Sequence, residues 1–125
     1  MGLFDFFSGG ADGQLKRHSK RAMNLNAQAE DREASLHWLA QNGSEQAILG
    51  LLGRFTVTYE HQMKDLNEKQ LVYELLDELG AVVCEPIKVW ARSAPKFARP
   101  LQLVDKYEGE EATVAMLIEM LALEN

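Results

Sequence analysis

Apolar residues return every three or four positions along most of this chain, the spacing that gathers them on one face of an α-helix. In "DREASLHWLAQNG", Ala34, Leu36, Trp38 and Leu39 fall within two turns. Asp31 stands near the start, where the helix dipole favours negative charge. Gly43 can adopt the left-handed conformation that ends a helix. "SEQAILGLLGRF" restarts at once, with Ser44 as N-cap and Ala47, Ile48, Leu51, Leu52 and Phe55 at helical spacing. "DLNEKQLVYELLDELG" repeats the form, with Leu71, Val72, Leu75, Leu76 and Leu79 in one stripe and Gly80 as the stop. Asp65 and Glu68 have the spacing of a capping box at its start. "AVVCEPIKVWARS" is the partner helix. Pro86 is tolerated in a first turn, where its missing N–H has no acceptor to lose, so regular turns are expected from about Glu85.

The flanks are less regular. Residues 1–13 place Leu3, Phe4, Phe6 and Phe7 ahead of three glycines, which predicts a short sticky segment on a flexible joint. A basic helix follows from about Gln14 to Ala29, with Asp12 as its cap. "TVTYEHQMKD" has β-branched and aromatic character, but with no second strand nearby it reads as a helix end and a long loop. "APKFARP" reads as an extended connector held by Pro95 and Pro100, and "LQLVDKYEG" as a short helical turn. "EEATVAMLIEMLALEN" is a last amphipathic helix. Val114, Leu117, Ile118 and Leu121 form its stripe, widened by Met116 and Met120, and no following helix is expected to cover it.

The hairpins repeat. Gly43 and Gly80 lie 37 positions apart, and that offset brings Arg32 onto Lys69, Leu36 onto Tyr73, Trp38 onto Leu75 and Leu39 onto Leu76. A third copy fits at 42, with Val72 on Val114, Leu75 on Leu117, Leu76 on Ile118 and Leu79 on Leu121. Repeats of roughly 40 residues with this content mark helical solenoids. One hairpin cannot cover its own apolar faces, so pairs stack. Over residues 31–123 the helix, the "QNG" or "ELG" turn and the second helix "CEPIKVW" resemble HEAT repeats, within the armadillo-like α-solenoids. The first copy lacks the proline, and the family's Asp–Val/Arg signature is not clear in any copy. The resemblance implies an all-α fold: a short right-handed α-α superhelix of HEAT-like hairpins over residues 14–125. A four- or five-helix bundle is the alternative. It also implies a scaffold that holds partners on its second helices, Ser44–Phe55 and Glu85–Ser93.

Composition narrows the chemistry. The chain is 125 residues long, 46% hydrophobic and 26% charged, within the range of one soluble globular domain. No apolar run approaches the roughly 18 residues of a membrane span, and no signal-peptide pattern opens the chain, so a cytoplasmic location is expected. The net charge of −6 argues against broad nucleic-acid binding. Cys84 is the single cysteine, which excludes an internal disulfide and a cysteine-based zinc site. His18, His37 and His61 lack paired ligand spacing, and no phosphate-binding, dinucleotide or nucleophile-elbow motif occurs. "GLLG" at Gly50–Gly53 reads as a place for close helix packing. No catalytic residue, metal or cofactor is expected.

Three groups remain as candidate surfaces. Lys88, Arg92, Lys96 and Arg99 occupy an acid-free stretch and fit an acidic protein segment or a phosphate, or else a solvated, dipole-complementing helix end. HEAT-like folds include DNA glycosylases, but no catalytic carboxylate can be fixed here, so a glycosylase or lyase ranks last. Lys16, Arg17, Lys20 and Arg21, behind Leu3, Phe4, Phe6 and Phe7, could dock on an anionic membrane. Alternatively the phenylalanines pack on the first hairpin. Val114, Leu117, Ile118 and Leu121 mark an assembly surface, for a longer array, for a homo-oligomer or for docking back. The expectation is a non-catalytic protein-interaction scaffold, with a peripheral membrane adaptor second.

Overall fold

All regular elements among the described residues are helices. The computed structural model describes the backbone of residues 2–93 and 98–124 and the side chains of residues 13–93 and 99–119. Seven α-helices follow one another: α1 Gly2–Met23, α2 Ala29–Asn42, α3 Glu45–Gly53, α4 Gln62–Leu79, α5 Cys84–Ala91, α6 Ala98–Glu108 and α7 Glu110–Glu124. Short 3-10 turns follow α3 and α4, at Arg54–Thr56 and Gly80–Val83. None of the described helices is long and apolar enough to cross a membrane.

The punctuation of α2 to α5 is local chemistry. Gly43 has φ +67° and returns its N–H to Leu39 O, closing α2 in a conformation that a side chain would strain. Ser44 accepts the Ala47 N–H at 3.1 Å and opens α3, as the sequence predicts. Gly80 has φ +82° at the end of α4. Pro86 is the third residue of α5, within the turn whose N–H groups have no intrahelical acceptor. The cap of α4 differs from expectation. The helix begins at Gln62, with His61 Nδ1 accepting the Lys64 N–H, and Asp65 and Glu68 are turned into the interior instead.

Leu36 and Leu39 of α2, Ile48, Leu51 and Leu52 of α3, Val72 and Leu76 of α4 and Ile87 of α5 are sealed in one core. Each such side chain contributes about 1.5–3 kcal/mol when withdrawn from water. In space α2 lies beside α4, and α3 beside α5. α1 packs across α2 and α3. Its approach to α3 is close: a Cβ on Gly50 would collide with Ser19 Oγ, and one on Gly53 would fall 2.8 Å from Met23 Sδ. The "GLLG" stretch is therefore a packing device, as its sequence indicates.

The flanks depart from expectation in four ways. First, α1 has helical backbone from Gly2, through Asp12 and the glycines, where the sequence pattern gives a flexible joint and a cap. A helix once nucleated gains a hydrogen bond for each added residue, so the packed part from Leu15 to Met23 extends backwards. Second, α1 stops at Met23, not Ala29, because Asn24 Oδ1 takes the Asn26 N–H at 3.0 Å and turns the chain. Third, residues 98–108 form a full helix rather than a connector and a turn. Pro100 is its third residue, like Pro86 in α5, and Leu101, Leu103 and Val104 are buried. Fourth, the last two helices do not follow the expected offset of 42. α6 packs on α5 and the Gly80–Val83 turn and also touches α4, while α7 packs on α6. The buried set Val72, Leu75, Leu76 recurs as Pro100, Leu103, Val104, at an offset of 28 rather than 42. α7 is not a first helix without a mate; α6 is its mate.

Candidate functional site

The most concentrated charge in the molecule is inside it. Arg54, at the end of α3, is 0% exposed, and Arg32, Asp65 and Glu68 are buried with it. Glu68 Oε1 accepts from Arg32 Nε and Arg54 Nε, both at 2.8 Å. Arg54 Nη2 donates to Asp65 Oδ1 at 2.8 Å and its Nη1 to Val57 O at 2.8 Å. Lys69 Nζ closes on Asp65 Oδ2 at 2.7 Å, and the Tyr59 N–H on Asp65 Oδ1 at 3.0 Å. Arg32 Nη1 reaches the carbonyls of Asn24, Leu25 and Ala27. Among the described residues no buried side-chain nitrogen or oxygen lacks a partner.

This network ties the α1–α2 turn, α2, the end of α3, the extended segment after it and α4 into one unit. Burial opposes the charge on Asp65, but Lys69, the Tyr59 N–H and Arg54 outweigh it and hold the carboxyl down at about 2. A carboxylate so stabilised is a poor base, and Asp65 serves in this clamp as an anchor for Arg54, Lys69 and the Tyr59 N–H. Beside it a groove of about 480 Å³ opens between Gln28, Glu33, Tyr59, Lys64 and Asn67. Arg32 stacks its guanidinium over Tyr59 at 5.3 Å there. No described group of His, Cys, Asp and Glu could hold a metal ion.

Sequence reasoning assigned Asp65 and Glu68 to a cap and aligned Arg32 with Lys69, so it missed the clamp. The signal was present. Arg32 continues the stripe of Leu36 and Leu39 one turn earlier, and Glu68 continues that of Val72 and Leu75. A charge on a core stripe calls for a buried partner.

The acid-free stretch is not acid-free in space. Lys88 lies between Glu108 and Glu85, and its ammonium is held above the usual lysine range chiefly by Glu108. Arg92 Nη2 meets Glu119 of α7 at 2.8 Å, and Arg99 Nη2 donates to Gln70 Oε1 at 2.8 Å. Lys96 lies outside the described residues. Cys84 is buried, and burial with Glu108 nearby pushes its thiol up to about 11, too protonated for a nucleophile.

The other basic cluster stays at the surface. Lys16, Arg17 and Lys20 are exposed on α1 and Arg21 half-buried. His18 turns the other way. It stacks on Trp38 with ring centres 4.3 Å apart and is hydrogen-bonded through Nδ1 to Ser35 Oγ at 3.0 Å. Burial first, then Arg17 and Arg21, lower its pKa. Leu3, Phe4, Phe6 and Phe7 lie on the helical backbone of α1, but their side chains are outside the described residues.

α7 is rotated from its expected setting by about one residue, roughly 100°. Met116 faces inward and Leu117 is half-buried against the core, while Val114 and Ile118 are 45% and 62% exposed. With Ala115, Glu110 and Glu111 they line a shallow hollow of about 410 Å³. The side chain of Leu121 is outside the described residues.

A scan against protein-family models and searches of curated proteins and of solved structures find no match to this chain.

Proposed function

We propose that the chain is a non-catalytic protein-interaction module, built from HEAT-like hairpins and working through its last helix. The observation that carries this reading is the apolar surface of α7. Val114 and Ile118 stand one turn apart, exposed, around a hollow rimmed by Glu110 and Glu111. Neighbouring apolar side chains left in water on a charged rim are the usual form of a docking site. The side-by-side placement of α2 with α4 and α3 with α5 supports the HEAT-like reading, because stacked hairpins set first helices against first and second against second. The second-helix surface with Lys88 and Arg92 carries less weight than its charge pattern alone suggests, since both cations have carboxylate partners within the chain.

A photo-cross-linking residue at position 118 tests the reading in cells, with the same residue at exposed Glu74 as control. Discrete adducts at 118 that vanish when Val114→Asp is added are the expected result. Equal, diffuse labelling at both positions would overturn it. A membrane-surface role stands second, favoured by the exposed Lys16, Arg17 and Lys20. It requires the chain to sediment with vesicles rich in phosphatidylserine and to stay in solution with neutral ones.

A further inference from the structure

Resting on the docking role of α7, we infer that its occupant is a second copy of this chain, which presents the basic outer face of α1. Copies would then join head to tail. Charge is the first argument. Residues 13–29 hold no Asp or Glu, and α7 from Glu110 onward holds no Lys or Arg. Among the described residues Lys16, Arg17 and Lys20 have no carboxylate partner, and neither Glu110 nor Glu111 has a cation. Glu119 is occupied by Arg92, which leaves the rim of the hollow, Glu110 and Glu111, facing outward.

Position is the second. Following neighbour to neighbour, α1 packs on α2 and α3, these on α4 and α5, α5 on α6, and α6 on α7. Among the described residues the basic and acidic helices thus stand at opposite ends of that order and are not packed on one another, which leaves each free to meet the other on a second molecule. Surface chemistry is the third. The aliphatic stems of Lys16 and Lys20 can lie over Val114, Ala115 and Ile118 while their ammonium groups reach Glu110 and Glu111. Met23, exposed at the end of α1, adds adaptable apolar surface. Pairing α7 with α7 would instead bring like charges together.

A contact between unlike surfaces leaves one of each free on every pair, so copies add in open series or, where the rotation closes, form a ring. One helix face against another buries less than the ~1,200 Å² of the smallest stable complexes. Association is therefore weak, with a Kd of order ~10⁻⁴ M, and salt-sensitive.

Sedimentation velocity and light scattering on the full chain, from ~10 μM to ~1 mM at ~20 mM and ~300 mM salt, test this. The expected mass rises past twice the 14.1 kDa of one chain at low salt and falls back at high salt. Two charge-reversed chains carry the decision: Lys16→Glu/Arg17→Glu/Lys20→Glu, and Glu110→Lys/Glu111→Lys. All five residues are exposed, so circular dichroism should match the parent, and the thermal midpoint should fall only slightly, because the reversals oppose the helix dipole in the first turn of α7 and the last turn of α1. Each variant alone should stay monomeric, and an equal mixture should regain the larger mass. Association that survives reversal on α1 but is lost with Ile118→Asp would mean that α7 pairs with itself. That overturns the head-to-tail contact and keeps the docking role. A wild-type chain monomeric throughout overturns the contact as well, and cross-linking at 118 then decides the docking role alone. A monomer whose α1 reversal abolishes binding to phosphatidylserine vesicles would assign the basic face to a membrane instead.

Discussion

Arg54 and Arg92 stand at corresponding places, Arg54 as the C-cap of α3 and Arg92 as the C-cap of α5, and each meets a carboxylate at 2.8 Å. Arg54 and Asp65 are sealed from water, while Arg92 and Glu119 each keep about half their side-chain surface in it. Equal distances therefore conceal unequal energetics. In water an ion pair trades one good solvation for another, and the median gain is about 0–1 kcal/mol. Inside, each charge has already given up several kcal/mol of hydration, so the loss of one partner strands the others. The comparison divides the molecule. Residues 24–69 are locked by a network in which every buried charge depends on its neighbours. From α5 onward the charged contacts are surface pairs, and apolar burial through Leu103, Val104 and Met116 does the holding. The docking role proposed for α7 suits that division, because a helix at the loosely tied end can adjust without disturbing the clamp.

The largest effect should come from breaking the clamp at its shared acceptor. Glu68→Ala leaves Arg32 and Arg54 without their common carboxylate and should cost about 3–5 kcal/mol, measured by urea denaturation. Against the about 5–15 kcal/mol of a typical domain this is a large share. A loss under about 1 kcal/mol would show that water replaces Glu68, and would erase the contrast with Arg92.

That clamp was also what the sequence hid best. The apolar stripes of α2 to α5, the Ser44 cap and the stops at Gly43 and Gly80 are local signals, carried by spacing and backbone sterics, and each appears where the pattern puts it. Asp65 and Glu68 misled because they have the spacing of a cap, a rule confined to one turn, while their partners come from α2 and α3. Pro100 misled because proline was read as a connector residue, although it is equally at home in a first helical turn, where Pro100 lies; Pro95 is outside the described residues. For α7 the apolar residues are so numerous that periodicity leaves its rotation open. The Arg92–Glu119 contact and the packing on α6 accompany the setting it takes, and neither is a local property. The surface set Lys88, Arg92 and Arg99 was legible as residues but not as an environment, because Glu108, Glu119 and Gln70 are remote in sequence.

Acid gives the second contrast. The folded pKa of Asp65 lies at about 2, below its ordinary 3.8. A depressed carboxylate contributes stability that is full above the unfolded pKa and is lost as pH falls through the folded one. Between pH ~4 and ~2 the clamp should therefore lose about 2 kcal/mol. Asp77 and Glu108 are also lowered, chiefly by Lys106 and Lys88, so their sign is the same, but solvent screens them. Comparing pH–stability curves of Asp65→Asn and Asp77→Asn separates the regions. Asp65→Asn should flatten the acid slope, and Asp77→Asn should leave most of it. The reverse order would place the acid-sensitive charge in the surface region.

Within the surface region the half-buried contact should outrank the exposed ones. Tyr107 donates its hydroxyl to the Asp77 carboxylate and lies 2.9 Å from the Asp77 carbonyl. Tyr107→Phe keeps the ring on the core and removes the donor, for about 1 kcal/mol by urea midpoint. No change would mean that Lys106, already on Asp77, suffices to hold α6 to α4.

The smallest expected effect tests the comparison most directly. A double-mutant cycle on Arg92→Ala and Glu119→Ala should return a coupling within about 0.5 kcal/mol, because the pair is exposed and each long side chain loses rotamer freedom to make it. The same cycle on Arg54→Ala and Asp65→Ala should return several-fold more, although both ion pairs measure 2.8 Å. If Arg92 and Glu119 couple as strongly as the buried pair, then α7 is anchored by charge rather than by Met116 and Leu117. The helix would then be a fixed part of the core rather than an adjustable docking face. Weak coupling with intact packing is the combination that a helix presenting Val114 and Ile118 to a partner requires.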